Sequence, residues 1–104
     1  MSFEQRLAEL GITLPEVAAP VAAYVPAVRT GSYIYTSGQL PFVEGNLPAT
    51  GKVGEGEGLI SADDAAACAR TCALNALAAV RSVTGSLDGI SRIVKVVGFV
   101  ASDP

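Results

Sequence analysis

A group of polar residues at the end of one apolar segment is the part of this sequence best suited to bind a ligand. Residues 31–42 read Gly-Ser-Tyr-Ile-Tyr-Thr-Ser-Gly-Gln-Leu-Pro-Phe, in which aromatic and β-branched residues predict a strand and Pro41 ends it. A strand that ends in Ser37-Gly38-Gln39 places a hydroxyl, a bare backbone and an amide side by side at the rim of a sheet. We therefore expect a small polar ligand to bind there.

The absence of histidine restricts the chemistry of such a site. The 104 residues contain no His, which removes Ser/His and Cys/His nucleophile pairs and every His-ligated metal site. Because Ser37 then lacks a base, hydrogen bonding suits its hydroxyl better than nucleophilic attack. Tyr24 is a candidate to orient a proton transfer, and an ordinary half-buried strand aromatic is the alternative. Gln39 either contacts the ligand or caps the turn, and we favour the turn.

The two cysteines do not predict a metal site. Cys68 and Cys72 are four residues apart in a predicted helix, where their side chains run parallel and disulfide geometry is poor. A metal would need further ligands that this spacing does not supply. We expect both cysteines to be buried, reduced and structural, since Cys commonly behaves as a small hydrophobic residue.

Charge and hydropathy exclude several classes of partner. The formal net charge is -3, and the seven basic residues are dispersed along the chain, whereas nucleic-acid binding usually shows a basic stripe. A narrow anion site stays open. The longest apolar run, residues 17–28, is too short to span a bilayer and contains prolines. The N-terminus lacks a secretory pattern, so we expect a cytoplasmic protein with no membrane and no nucleic-acid partner.

Two helices are predicted to frame the candidate site. Ser2 begins a capping box, which predicts a short amphipathic helix over residues 3–10. Ser61 gives the next start signal, so a helix should run from about 62 to 83 and stop at Gly85. Half of this second helix is apolar and mostly Ala, which lets it lie close on a sheet.

Strands are predicted on both sides of the second helix. Prolines favour an extended connector over residues 12–26. A β-hairpin follows, with strands over residues 24–29 and 33–37. The glycine-bearing segment 44–58 should be a surface loop or hairpin, with room for a short strand near 51–54. Residues 92–100 form the strongest strand pattern, with apolar side chains on both faces.

The two apolar faces of residues 92–100 have a consequence for assembly. A single helix covers only one face of a sheet, so the second face must meet more chain or another subunit. The sequence therefore predicts an oligomer.

Two stretches of the sequence carry a family resemblance: the motif Tyr24-Val-Pro-Ala-Val-Arg-Thr-Gly-Ser-Tyr-Ile-Tyr-Thr-Ser-Gly-Gln-Leu-Pro41 and, in support, Ile93-Val-Lys-Val-Val-Gly-Phe-Val100. Together they resemble the Rid family (YjgF/L-PSP, reactive intermediate deaminase). The N-terminal helix resembles a longer subgroup of that family. The resemblance implies an α+β, chorismate-mutase-like fold, with a hairpin and then an Ala-rich helix on a mixed sheet. It also implies a homotrimer with a central barrel and clefts between subunits.

The resemblance also implies an activity and its residues. Active relatives hydrolyse enamines or imines released by pyridoxal-phosphate enzymes, giving a 2-oxo acid and ammonia without a cofactor. Tyr24 matches the family Tyr, and Ser37 with Gly38 matches the Ser-Gly of the pocket, with Gln39 beside them as a candidate substrate contact. No Arg of this chain matches the Arg that grips the substrate carboxylate.

The extent of the chain is a further expectation from the resemblance. Residues 1–104 should form the N-terminal part of a single Rid-like domain, whose second helix and last strands, with the Arg and a Glu, would follow Pro104. We therefore expect a truncated sequence. Two other functions stay open: a non-catalytic trimer that binds a small carboxylate, and an endoribonuclease or translation inhibitor, which the acidic composition disfavours.

Overall fold

The chain combines two α-helices with a two-stranded antiparallel hairpin. The computed structural model describes residues 2–17 and 23–104. Its elements, in order, are α1 (Phe3–Glu9), β1 (Ala27–Thr30), β2 (Tyr33–Thr36), α2 (Ala62–Thr84) and a 3-10 turn (Leu87–Gly89). This order of hairpin and long helix confirms the α+β class. The predicted connector over residues 12–26 falls partly on residues 18–22, which lie outside the described residues.

Local signals at the helix ends confirm both predicted helices. The Ser2 hydroxyl accepts a hydrogen bond from the Gln5 backbone N–H and the Gln5 side chain accepts from the Ser2 N–H, each at 3.1 Å, which is a complete capping box. The Ser61 hydroxyl accepts from the Asp64 N–H at 3.1 Å. Gly85 ends α2 with a φ of 81°, a left-handed conformation that glycine adopts without a steric penalty.

The hairpin forms as predicted, with shifted boundaries. β1 begins at Ala27, three residues later than the predicted start at position 24, because Pro26 has no N–H to donate to a ladder. In the register, Val28 pairs with Tyr35 and Thr30 with Tyr33, so these four side chains share one face of the hairpin. Both tyrosines and Val28 are exposed on that face. α2 contacts both strands.

The hydrophobic core lies between the helices and the segment that follows α1. Leu14, Ala78 and Leu87 are each less than a tenth exposed. Six half-buried residues pack against them: Leu7, Ile12, Leu74, Leu77, Val80 and Ile90. Ala79 of α2 is fully buried, so the small side chains allow neighbouring backbones to approach α2 closely, as the Ala-rich sequence predicts.

The predicted strand over residues 92–100 is wrong for this chain. The segment has no regular secondary structure, and Val96 and Phe99 are 83% and 93% exposed. A strand requires a neighbouring backbone to complete its hydrogen bonds, and β1 and β2 pair only with each other among the described residues. The chain regains pairing at Ser102, which forms a parallel bridge with Val53.

The glycine-bearing segment is a surface loop, as predicted. Glu44 and Gly45 have φ angles of 51° and 82° between the paired residues Val43 and Asn46, the arrangement of a two-residue hairpin turn. The short strand expected near 51–54 is reduced to bridges of Val53 with Ile60 and with Ser102.

Glu4 joins α1 to the end of α2 through both carboxylate oxygens. One oxygen accepts from the Arg81 guanidinium at 3.3 Å, and the other accepts from the backbone N–H of buried Leu87 at 2.8 Å. In return, the Glu4 backbone N–H donates to the Asp88 carboxylate at 3.0 Å. Glu4 of α1 therefore caps the start of the 3-10 turn, and Asp88 of the 3-10 turn caps the start of α1. These reciprocal contacts fix α1 on the core.

We expect Glu4→Ala to destabilise the fold by about 1–3 kcal/mol, because the buried Leu87 N–H loses its acceptor. The measurement is the free energy of unfolding from urea titration followed by circular dichroism. Glu9→Ala is the matched control: Glu9 pairs with Arg6 at 3.3 Å, with side chains 51% and 58% exposed, and exposed pairs contribute less than about 1 kcal/mol. Equal losses of unfolding free energy in the two variants would contradict this role of the Glu4 contacts.

Candidate functional site

Ser37 and Pro26 make the contact that assembles the candidate site. The Ser37 backbone N–H donates to the Pro26 carbonyl at 2.8 Å, and the Ser37 hydroxyl donates to the same oxygen at 3.3 Å. This double contact brings the segment that holds Tyr24 beside the end of β2. We call the group formed by Tyr24, Pro26, Ser37, Gly38 and Gln39 the rim.

The Ser37 hydroxyl is occupied by partners within the protein. It donates to the Pro26 carbonyl and accepts from the Gln39 side-chain amide at 3.4 Å. A hydroxyl held in this way, with no base beside it, is suited to hydrogen bonding and to shaping a pocket rather than to nucleophilic attack. Gln39 uses its amide within the turn, in line with the favoured interpretation of that residue.

Tyr24 and Gly38 are the accessible members of the rim. Tyr24 is 42% exposed, so its phenol is open to solvent or to a bound molecule. A Cβ built on Gly38 would meet no atom within 4 Å. Space therefore remains directly over the Gly38 backbone, where a ligand or another chain can approach closely. The contribution of the rim residues to ligand binding stays a prediction.

Asn75 is a residue of the site region that sequence reasoning missed. The helical wheel groups it with the polar residues of α2, but Asn75 is 1% exposed. Its side-chain amide donates to the carbonyls of Leu40 and Phe42 at 3.0 and 3.1 Å, directly after the rim. The available signal was an Asn in the middle of an Ala-rich helix, where its helix propensity is poor.

Arg29 belongs to the opposite end of the hairpin from the rim. Its Nε donates to the Gly31 carbonyl at 3.2 Å, which ties the side chain to the hairpin turn. Arg29 is therefore not placed to anchor a carboxylate at the rim of the same chain.

A cavity of about 420 Å³ lies beside the glycine-bearing loop and the first turn of α2. Its lining includes Glu55 and Ser61, and α2 begins with Asp63 and Asp64. These carboxylates oppose the favourable field that the start of a helix offers to anions. The cavity is therefore not suited to phosphate, as the sequence also indicates.

Cys68 and Cys72 are free thiols. Both are half-buried, so the expectation of full burial is wrong, because this stretch of α2 is only partly covered. Burial, with a smaller contribution from nearby Cys68, raises the pKa of the Cys72 thiol.

Among the described residues, no group of three or more His, Cys, Asp or Glu is placed to hold a metal ion. No helix in residues 2–17 or 23–104 has the length and hydropathy of a membrane span.

The match to a protein family covers nearly the whole chain. Residues 4–103 match the family described as "YjgF/chorismate_mutase-like, putative endoribonuclease". The chain therefore belongs to the YjgF/chorismate-mutase-like family, which confirms the resemblance seen in the motifs around Ser37 and residues 93–100.

Three relatives are similar to this chain in sequence, and two of them also in structure. Protein TCP17 of Trypanosoma cruzi is 38% identical over 98 residues, which are 94% of this chain and 59% of that protein. A crystal structure described as a "putative endoribonuclease" from Shewanella oneidensis superimposes with a TM-score of 0.74 at 36% identity, over 84% of this chain and 56% of the other. Atu1372 of Agrobacterium tumefaciens, described as of unknown function, gives 0.64 at 38% identity, over 83% and 50%. The chain thus spans between half and three-fifths of the length of these relatives.

We expect the alkylation rate of Cys72 to rise with pH along a curve displaced to higher pH than in the unfolded chain. The thiolate is the reactive form, so a raised pKa lowers its fraction at any given pH. The measurement is iodoacetamide labelling against pH, resolved by peptide mass spectrometry, with the urea-unfolded chain as reference.

Cys68→Ser separates the two causes of that displacement. The substitution removes the contribution of the neighbouring thiol, so the midpoint for Cys72 should move part of the way down while burial keeps it above the unfolded value. Coincident curves for folded and unfolded wild-type chain would contradict the raised pKa.

Proposed function

We propose that this protein hydrolyses imine or enamine intermediates released by pyridoxal-phosphate enzymes to 2-oxo acids and ammonia. The observation that carries the proposal is the double contact of Ser37 with the Pro26 carbonyl. This contact joins Ser37, beside Gly38, to Pro26, which lies two residues after Tyr24; Tyr24, Ser37 and Gly38 are the positions that we propose for the family pocket. Membership of the YjgF/chorismate-mutase-like family supports it.

The chemistry of imine hydrolysis fits the groups at the rim. Water adds to the carbon of the C=N bond while the nitrogen gains a proton; the resulting carbinolamine expels ammonia and leaves a C=O bond. The reaction needs a positioned water and a proton carrier but no covalent nucleophile. A Ser37 hydroxyl held by Pro26 and Gln39 is compatible with that requirement, and the exposed Tyr24 phenol is the proposed proton-orienting group.

The substrate carboxylate requires a cation that the rim itself does not contain. Arg is the usual anchor because it binds carboxylate through two parallel hydrogen bonds. We propose that this anchor comes from a neighbouring subunit or from the part of the family fold that this chain does not span.

We also propose a homotrimer in which the rim forms one wall of a cleft between subunits. The accessible surface of the chain is 7651 Å², whereas a compact monomer of this mass exposes about 5,400 Å². The exposed residues include large apolar side chains: Val28, Tyr33 and Tyr35 on one hairpin face, and six residues of the segment 93–100. Large exposed apolar areas mark interaction sites, and association of copies would bury them.

Two alternative functions differ in their observable outcomes. The same clefts would bind a small carboxylate without turnover if the rim only shapes a pocket. The family and the Shewanella structure are both described as putative endoribonucleases, which favours that activity. Against the latter stand the net charge of -3, the dispersed basic residues and the absence of His.

We expect the full-length protein to accelerate ammonia release from 2-aminoacrylate, generated by a serine dehydratase, by roughly 10²-fold or more over the spontaneous rate, the effect of a positioned acid–base group. The measurement is a coupled assay of ammonia and pyruvate. Thermal stabilisation by pyruvate without turnover would select the carboxylate-binding alternative, and RNA cleavage that co-purifies with the trimer would select the endoribonuclease.

Gly38→Ala and Gly89→Ala form a matched pair for locating the activity. An added Cβ meets no atom within 4 Å at either position, so each variant should fold with a change in stability within about 1 kcal/mol. Only Gly38→Ala should reduce the deamination rate, because its methyl group occupies the space over the rim. Equal activity in the two variants would place the reaction elsewhere.

We expect the replacement of Val96 and Phe99 by Lys to convert the trimer into single subunits, because two charges would have to be buried in an apolar interface. The measurement is the molar mass from light scattering. Glu57→Gln, a charge change in the exposed loop, is the control and should leave the mass unchanged. A monomeric wild type, or a trimer that persists in the double variant, would exclude this assembly.

A further inference from the structure

We propose that Asn75 is a positioning residue that fixes the rim by clamping the segment after it onto α2, an inference that rests on the function proposed for the rim. Both contacts of its amide are to backbone carbonyls, those of Leu40 and Phe42. Among the described residues, its side chain forms no hydrogen bond to a side chain of the rim. The role therefore concerns the path of the backbone that carries Gly38 and Gln39.

The geometry of the clamp uses both donors of one amide group. The Asn75 nitrogen lies 3.0 Å from the Leu40 oxygen and 3.1 Å from the Phe42 oxygen, so two carbonyls that are two residues apart point at the same atom. The Phe42 N–H donates to the Leu40 carbonyl at 2.8 Å, which holds this tight turn. Because Asn75 is 1% exposed, water does not compete for these contacts.

Gly38 and Gln39 are the only residues between two anchors. On one side, Ser37 is fixed to Pro26 of the hairpin by its N–H and hydroxyl. On the other side, Leu40 is fixed to α2 by Asn75. Glycine has more backbone freedom than any other residue, so a segment that contains Gly38 keeps one conformation only if both ends are held. Release of the α2 anchor would leave the rim attached at one end.

The position requires an amide rather than a group of similar size. Ionised Asp has the shape of Asn but only acceptor atoms, and it would set a carboxylate against two carbonyl oxygens. Leu has the same branched outline, but it is larger and has no donor. The alternative, that Asn75 only satisfies two buried carbonyls, predicts a loss of stability without a specific effect on the rim.

The first test compares Asn75→Asp with Glu4→Ala in the full-length protein. Both variants lose hydrogen bonds to buried groups. Glu4, however, joins α1 to the 3-10 turn, away from the rim. At a temperature where both remain folded, we expect kcat/KM for 2-aminoacrylate to fall by roughly 10²-fold in Asn75→Asp, as for a misplaced reacting geometry, and by less than about twofold in Glu4→Ala. Parallel losses in the two variants would overturn the positioning role.

The second test does not depend on the activity. In hydrogen exchange without substrate, peptides covering residues 38–42 should exchange faster in Asn75→Asp than in wild type, while peptides covering α1 keep their protection. If wild type proves inactive, this measurement still tests whether Asn75 holds the segment after the rim. In that case the affinity for pyruvate should weaken about tenfold in Asn75→Asp. Unchanged exchange at residues 38–42 would overturn the proposal even in an active protein.

A measurement on the wild type covers the case in which Asn75→Asp does not fold. The side-chain NH₂ of Asn75 should show slow solvent exchange and scalar couplings across hydrogen bonds to the carbonyl carbons of Leu40 and Phe42 in NMR spectra. A rapidly exchanging amide without these couplings would overturn the clamp.

Discussion

The carbonyl of Pro26 accepts two hydrogen bonds from Ser37, and the candidate site depends on this contact. Because proline cannot donate to a ladder, β1 starts at Ala27, directly after Pro26. The Pro26 carbonyl oxygen therefore lies at the end of the hairpin. The Ser37 N–H and hydroxyl both reach it. The hairpin therefore ends in a fixed junction between two segments, and the polar groups of the rim gather around that junction.

α2 connects this junction to the hydrophobic core. Its buried alanines, Ala78 and Ala79, pack in the core that also holds Leu14 and Leu87. One turn earlier, Asn75 of the same helix reaches the segment after the rim. The segment after the rim is therefore joined to a helix that also packs in the core. The Glu4 contacts hold α1 at the other end of α2, away from the rim.

The exposed apolar surface gives the chain a second physical constraint. Residues 93–100, which form no strand, expose six large apolar side chains. The hairpin exposes Tyr33 and Tyr35, whose ring centroids are 6.5 Å apart. Burial of such surface contributes about 25 cal/mol for each Å² removed from water. Summed over several large side chains, this contribution is large compared with the marginal stability of a small domain. The rim lies at the end of this hairpin, so whatever covers the hairpin also lies near the candidate site.

The sequence determined the features that depend on neighbouring residues. Ser2, Ser61 and Gly85 set the helix ends because capping involves groups within one turn, and alternation fixed which tyrosines share a face of β2. The motif around Ser37 identified the family. Only the tertiary structure decided that Asn75 is buried and that residues 92–100 find no partner strand among residues 2–17 and 23–104. The Asn75 contacts join positions 33 and 35 residues apart, and the Glu4 contacts join positions more than 70 apart. Periodicity reports which side of an element is apolar, but it does not report which distant carbonyl that side will meet.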